Sequence, residues 1–321
     1  MTRTIAWQSS SEEIGLRFTV LASGSGGNVC SIESADFGLL IDAGLGPRQI
    51  AARLHEVGLS WSSVQVVLLT HTHSDHWKDA TLQHLHRLRI PLWCHAGHHT
   101  VLRTYSDGFL ALEAAGLVRS FAPFETFALS SGLRCRALPI RHDSGATFGF
   151  RLEGGADLFG GCDAIGYVAD LGCWDDELAE NLADVNLLAV EFNHDVALER
   201  KSKRGPRLIE RVLGDEGHLS NVQAVELVRA VLYRSTKGRL RHLVQLHLSR
   251  ECNRPALARA AARGMFDELR MAVAIHTAKQ DEPGATIYLN RSTSPRAVGR
   301  SPRRRGSRAK PTQPLLPGLI D

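Results

Sequence analysis

Residues 66–77 read VVLLTHTHSDHW. A run of apolar and hydroxyl side chains passes directly into His71, His73, Asp75 and His76. Imidazoles and a carboxylate crowded this closely repel or titrate unless something holds them. Imidazole with carboxylate is a donor set for zinc, manganese or iron. If His71 and His73 continue a strand they share a face, because alternate residues of a strand do. Asp75 and His76 then turn toward a second position. A polar surface run is the alternative, and the buried strand in front of the cluster argues against it.

Donors for two ions require further ligands, each at the end of its own strand. His142 follows LRCRALPI, Asp170 ends IGYVAD, and His247 ends HLVQLH. With the first four they complete two coordination shells that share one aspartate.

The rest of the chain alternates short strands with helices. LRFTVLAS, NVCSIES and FGLLIDAG read as strands, the first two joined by the turn SGSGGN, residues 23–28. PRQIAARLHEVG reads as a helix with Pro47 in its first turn and Gly58 at its end. A second helix is expected from about Asp75 to Arg89, followed by the strand PLWCHA. LRCRALPI, TFGFRLEG, IGYVADLG, VNLLAVEF and HLVQLHLS are further strands. DDELAENLAD and NRPALARAAARGMFDELRMA read as helices, and Ser220 with Gln223 forms a capping box for another. Two β-rich layers flanked by helices fit this order: an α/β chain in four layers.

Residues 1–290 are expected to form one domain and 291–321 a disordered basic tail. The net charge of +4 hides this division. From Arg291 onward there are eight Arg or Lys against one acidic residue, leaving 30 basic and 33 acidic groups in the body. The tail is rich in Arg, Ser, Pro and Gly and carries too little apolar surface to offset chain entropy. No stretch reaches the ~18 apolar residues of a membrane span, and the N-terminus lacks a signal-peptide pattern. A cytoplasmic protein is expected, its six cysteines free thiols.

THTHSDH, Asp42 in LLIDAG, His142, Asp170 and His247 resemble the metallo-β-lactamase-fold hydrolases. LASGSGGN, LLIDAG, AVEFNHD, GHLSN and HLSRECN are similar to the YycJ/WalJ-like branch, described as 5′→3′ exonucleases acting on DNA. The resemblance covers roughly residues 17–290. It implies a four-layer αββα sandwich with the site at one edge. It also implies two divalent ions, zinc or manganese: His71, His73 and His142 on one, Asp75, His76 and His247 on the other, and Asp170 bridging. Asp42 would orient a ligand from behind. Arg250-Glu251-Cys252-Asn253 departs from the more Asn-rich run expected there, which leaves Asn253 without a role.

A paired ion centre ionises water for attack on phosphorus, or on a thioester, lactone or lactam carbonyl. The centre does not choose among them. Nearby residues do. The amides of SGSGGN can face a phosphate or merely form a turn. Asn193 and His194 in EFNHD stand at the same edge, with His194 a candidate proton donor to a leaving oxygen and Asp75 a candidate catalytic carboxylate. Arg200, Lys201, Lys203, Arg204 and Arg207 form a basic loop suited to backbone phosphates, and His218 follows. His95, His98 and His99 are assigned to structure or surface, and His84 and His86 to different faces of a helix. The leading expectation is a DNA exonuclease with nucleic acid as partner and no membrane. A thioester or lactone hydrolase on the same fold is the rival, and a non-catalytic protein with a vestigial site is the second. The tail is expected to bind polyanions weakly, and QPLLPGLID loosely resembles peptides that dock on a sliding clamp.

Overall fold

A computed structural model describes residues 15–35, 37–155 and 162–289. The tail, its polyanion binding and the clamp contact lie outside the described residues.

Two seven-stranded sheets face each other. The first contains β1 (Arg17–Ala22), β2 (Val29–Ser34), β3 (Phe37–Ile41), β4 (Val66–Leu68), β5 (Leu92–His95) and β6 (Val118–Phe121). The second contains β7 (Thr126–Ser130), β8 (Leu133–Ile140), β9 (Thr147–Gly154), β10 (Asp163–Val168), β11 (Leu187–Glu191), β12 (His242–Leu246) and β13 (Ala274–Thr277). The short β14 (Ile287–Tyr288) returns to pair with β1. Each sheet is antiparallel in one half and parallel in the other. In the first, β3 to β6 run parallel; in the second, β10 to β13 do.

The continuous apolar runs of the parallel strands follow from burial on both faces. Leu39, Ile41, Val66 and Leu68 enter the core between the sheets with Phe18, Phe150, Tyr167 and Leu246. Their neighbours Leu40, Val67 and Leu69 point the other way, onto Ile50 and Leu54 of α1 (Pro47–Glu56) and Leu82 and Leu85 of α2 (Asp79–Leu88). The helices α3 (His99–Tyr105) and α4 (Asp107–Ala114) follow, with Leu102 and Phe109 in this layer. Leu188 and Val190 of β11 meet the outer layer of the second sheet. That layer draws on α5 (Asp176–Asn181), α8 (Asn221–Arg234) and α9 (Pro255–Glu268). The short α6 (Val196–Lys201) and α7 (Pro206–Leu213) precede α8. The four-layer αββα expectation therefore describes the molecule. Among the described residues no helix is long and apolar enough to cross a membrane, and the cysteines are unpaired.

One expected boundary moves. Helix α2 begins at Asp79, not near Asp75. The backbone at 75 and 76 is engaged elsewhere: Asp75 O accepts from Asn28 N–H at 2.7 Å and His76 O from Ala43 N–H at 2.8 Å. This close approach needs Gly44, where an added Cβ would lie 1.8 Å from Asp75 O. The whole HTHSDH segment is thus held as a loop between β4 and α2.

Candidate metal centre

The candidate donors sit beyond the carboxyl ends of strands, where open α/β sheets bind their ligands. Asp42 follows β3, His71 and His73 follow β4, and His142 follows β8. Asp170 follows β10, Glu191 ends β11 and His247 follows β12. Asp42, Asp170 and His247 have left-handed backbones, with φ of 64°, 55° and 52°. Each costs about 1 kcal/mol or more, strain of the kind found at functional sites and sustained by the surrounding core.

His71, His73 and His142 bring ring nitrogens within 4.8 Å of one another. Their rings meet nearly at right angles, 78° to 80°, with centroids 4.9 to 5.3 Å apart. His142 Nδ1 donates to Gly217 O at 3.0 Å, which leaves Nε2 as a lone pair facing His73. Burial lowers all three imidazoles from their usual value, His71 furthest. They are neutral donors.

The second group is rich in carboxylate. Asp170 Oδ2 lies 2.5 Å from His76 Nε2 and 3.8 Å from His71 Nε2; its Oδ1 lies 2.6 Å from His247 Nδ1. Asp75 Oδ2 lies 3.8 Å from Nε2 of both His76 and His247. Asp42 accepts from His76 Nδ1 at 2.7 Å and from the Thr70 amide at 2.9 Å, and so holds the ring from behind. Desolvation works against protonation of His76, but Asp42 and Asp170 outweigh it and push the group up to about 10. His247 is likewise raised against desolvation by Asp170. A field that holds protons this firmly also attracts cations.

The fit to a metal is direct. Both Asp170 oxygens, His71 Nε2 and His247 Nε2 are buried without a hydrogen-bond partner, although some neighbours lie within 2.6 Å. Atoms that are close without pointing at one another point into a shared space. That is how donors stand around a cation.

Several residues enter that the sequence did not single out. Glu191 is fully buried, and its Oε1 accepts from Nδ1 of His247 at 2.8 Å and of His218 at 2.9 Å. With Asp170 these three form another group of close donors. Desolvation opposes ionisation of Glu191, but His218 reverses this and brings it down to about 2. Asn28 reaches His76 Nε2 at 2.9 Å and Asp75 Oδ2 at 3.3 Å. The SGSGGN turn accordingly serves to seat Asn28, while Ser23 Oγ accepts from the His247 amide at 2.8 Å. Asn253, which the sequence alone left without a role, is buried and donates to Phe192 O and Asn193 O, bracing the segment that follows β11.

The expected substrate residues are placed unequally. Asn193 donates to His247 O at 2.9 Å. His194 is wholly buried, with burial lowering its pKa, so its ring does not open on solvent. His218 does, with 18% of its side chain exposed. Arg200, Lys201 and Lys203 are exposed, the first two on α6, so the segment is only partly a loop. Arg204 is not free: its guanidinium donates to buried Glu199, to Glu251 and to Ser249. His95 and His99 are partly exposed, whereas His98 is buried and donates from Nε2 to Ala146 O at 2.8 Å.

An αββα sandwich whose strand ends converge on histidines and carboxylates defines a metal-dependent hydrolase. Residues 38–237 match the Beta-lactamase superfamily domain, and the chain belongs to that superfamily. It is 28% identical over 246 residues to "Exodeoxyribonuclease WalJ" of Streptococcus pneumoniae, covering 77% of this chain and 86% of the relative. It is 26% identical over 260 residues to "Exodeoxyribonuclease YycJ" of Bacillus anthracis, covering 79% and 90%. Among solved structures, the metallo-beta-lactamase fold protein YhfI from Bacillus subtilis matches with a TM-score of 0.59 at 16% identity, over 84% of this chain and 98% of that one.

Proposed function

We propose that this protein is a two-metal phosphodiesterase acting on nucleic acid, a 5′→3′ DNA exonuclease. The observation that carries the reading is Asp170, which is shared by two groups of close donors, one with His71 and His76 and one with Glu191, His218 and His247, and whose buried oxygens lack hydrogen-bond partners. Similarity to two exodeoxyribonucleases over most of the chain supports the substrate class.

His71, His73 and His142 would hold one ion, Asp75, His76 and His247 the other, with Asp170 between. Two divalent ions, zinc or manganese, supply Lewis acidity toward the phosphoryl oxygens and activation of water. Asp42 fixes the tautomer and direction of His76. Asp75, whose carboxylate is partly exposed, orients the attacking water. Glu191 holds His218 through Nδ1, which turns Nε2 outward and suits it to deliver a proton to the leaving oxygen. His218 takes this role in place of His194, whose ring is sealed. Asn193 anchors the backbone of His247. Arg200, Lys201 and Lys203 supply charge for backbone phosphates.

The test offers end-labelled single- and double-stranded DNA, RNA and a thioester to protein loaded with Mn²⁺ or Zn²⁺. Mononucleotides released progressively from 5′ ends of DNA are expected. Thioester cleavage with the DNA intact would replace this reading by a small-molecule hydrolase.

A further inference from the structure

Asp143, next to His142, stands over the three-imidazole group. Its Oδ1 lies 3.4 Å from Nε2 of both His73 and His142. Its Oδ2 accepts from Nε of Arg211, in the last turn of α7. The Arg211 side chain is 53% exposed. None of the seven donors requires it.

A carboxylate held here by the guanidinium, at the rim of a group that would hold a cation, occupies the place an anionic substrate oxygen would take. A phosphodiester carries the same charge, and its two nonbridging oxygens match the guanidinium fork. The ion pair is exposed enough that its loss in exchange for a phosphate costs little. One turn earlier on α7, about 6 Å along its axis, Arg207 is exposed, and Lys203, Lys201 and Arg200 precede it. Exposed basic residues therefore precede Arg211 in α6, α7 and the segment between them, and Arg211 itself pairs with Asp143 beside the candidate metal centre.

We propose that Arg211 binds substrate, taking the nonbridging oxygens of the phosphodiester presented to the centre, with Asp143 as its counter-ion when substrate is absent. This rests on the nucleic-acid reading above.

The experiment measures binding of a fluorescein-labelled, 5′-phosphorylated single-stranded oligonucleotide to the full chain in chelator, by anisotropy across a NaCl series. Wild type is compared with Arg211→Gln, Arg211→Lys and Asp143→Asn, and metal content is measured after reloading each. Arg211→Gln is expected to weaken binding about tenfold and to lower the salt slope by about one. Arg211→Lys restores the slope but only part of the affinity, because an ammonium has no fork. Asp143→Asn tightens binding at low salt, and every variant reloads as many ions as wild type. Wild-type affinity and slope in Arg211→Gln would overturn the proposal. So would loss of an ion in Asp143→Asn, which would make Asp143 a ligand and Arg211 its support. Should Arg211→Gln not fold, Arg211→Lys decides: full wild-type affinity counts against the proposal. A wild-type protein that neither binds nor cuts oligonucleotides overturns the nuclease reading itself. Wild-type binding with an unaffected Arg211 variant overturns this inference alone.

Discussion

The two halves of the centre are built from different chemistry. On one side stand three imidazoles made neutral by burial: His71, His73 and His142. On the other, Asp75, Asp170 and Glu191 surround His76, His218 and His247. The first half offers lone pairs without charge. The second offers a strong negative field as well, and it leans on a deeper set of supports: Asp42 and Thr70 behind His76, Asn28 beside it, Asn193 and Ser23 on the backbone of His247. An ion on the carboxylate side would gain the attraction of Asp75 and buried Glu191 besides that of Asp170, whereas the imidazole side has, besides Asp170, only Asp143, which Arg211 already neutralises. The imidazole half should therefore be the more easily emptied.

Substitutions can break this contrast, and the most severe removes what the halves share. Asp170→Ala should abolish retention of both ions and reduce turnover by about 10³-fold or more, read by metal analysis alongside the nuclease assay. Next in size, His73→Ala should empty the imidazole half and leave one ion per chain; loss of both would show that the halves do not bind separately. Asp42→Asn removes the charge behind His76, with an expected loss of about 10–100-fold in metal affinity. The reduction should be confined to the carboxylate half.

The mildest change concerns the loop after His142. His98 is buried beneath it and bonds Ala146 O, and burial lowers its pKa to about 4. Its neutral form stabilises the fold fully above the unfolded value of about 6.5. That contribution is lost as pH falls through about 4, because the unfolded chain takes up the proton first. The effect is at most about 3 kcal/mol. His98→Gln, which keeps a donor for Ala146 O, should flatten the decline in denaturant stability over that window; an unchanged decline would assign it to other groups.

The imidazole half was the more legible in the sequence. His71 and His73 lie two residues apart in the loop directly after β4, so spacing alone reveals them. Donors drawn from distant strand ends, His142, Asp170 and His247, could be sought because each follows an apolar run. Glu191 escaped notice because it reads as the penultimate residue of the strand VNLLAVEF. Strand parity held the missing signal: Leu187 and Ala189 face the inter-sheet core, so Glu191, two positions on, takes that side while Leu188 and Val190 take the other. A glutamate so placed must be paired or bind a cation. Asn28 and Arg211 reach the centre through folding contacts that no local pattern encodes. The same holds for the late start of α2, where hydrogen bonds to Asn28 and Ala43 override helix propensity. The basic run misled because charge was counted without partners; Arg204 is spent on Glu199, Glu251 and Ser249.

Anomalous X-ray scattering from crystals of the Mn²⁺- or Zn²⁺-loaded protein, collected across the absorption edge, is the most direct test. Two peaks should appear, one among His71, His73 and His142 and one among Asp75, His76 and His247, with Asp170 between them. A protein that crystallises with its fold intact and shows no peak at these residues would contradict the metal centre and the hydrolysis built on it.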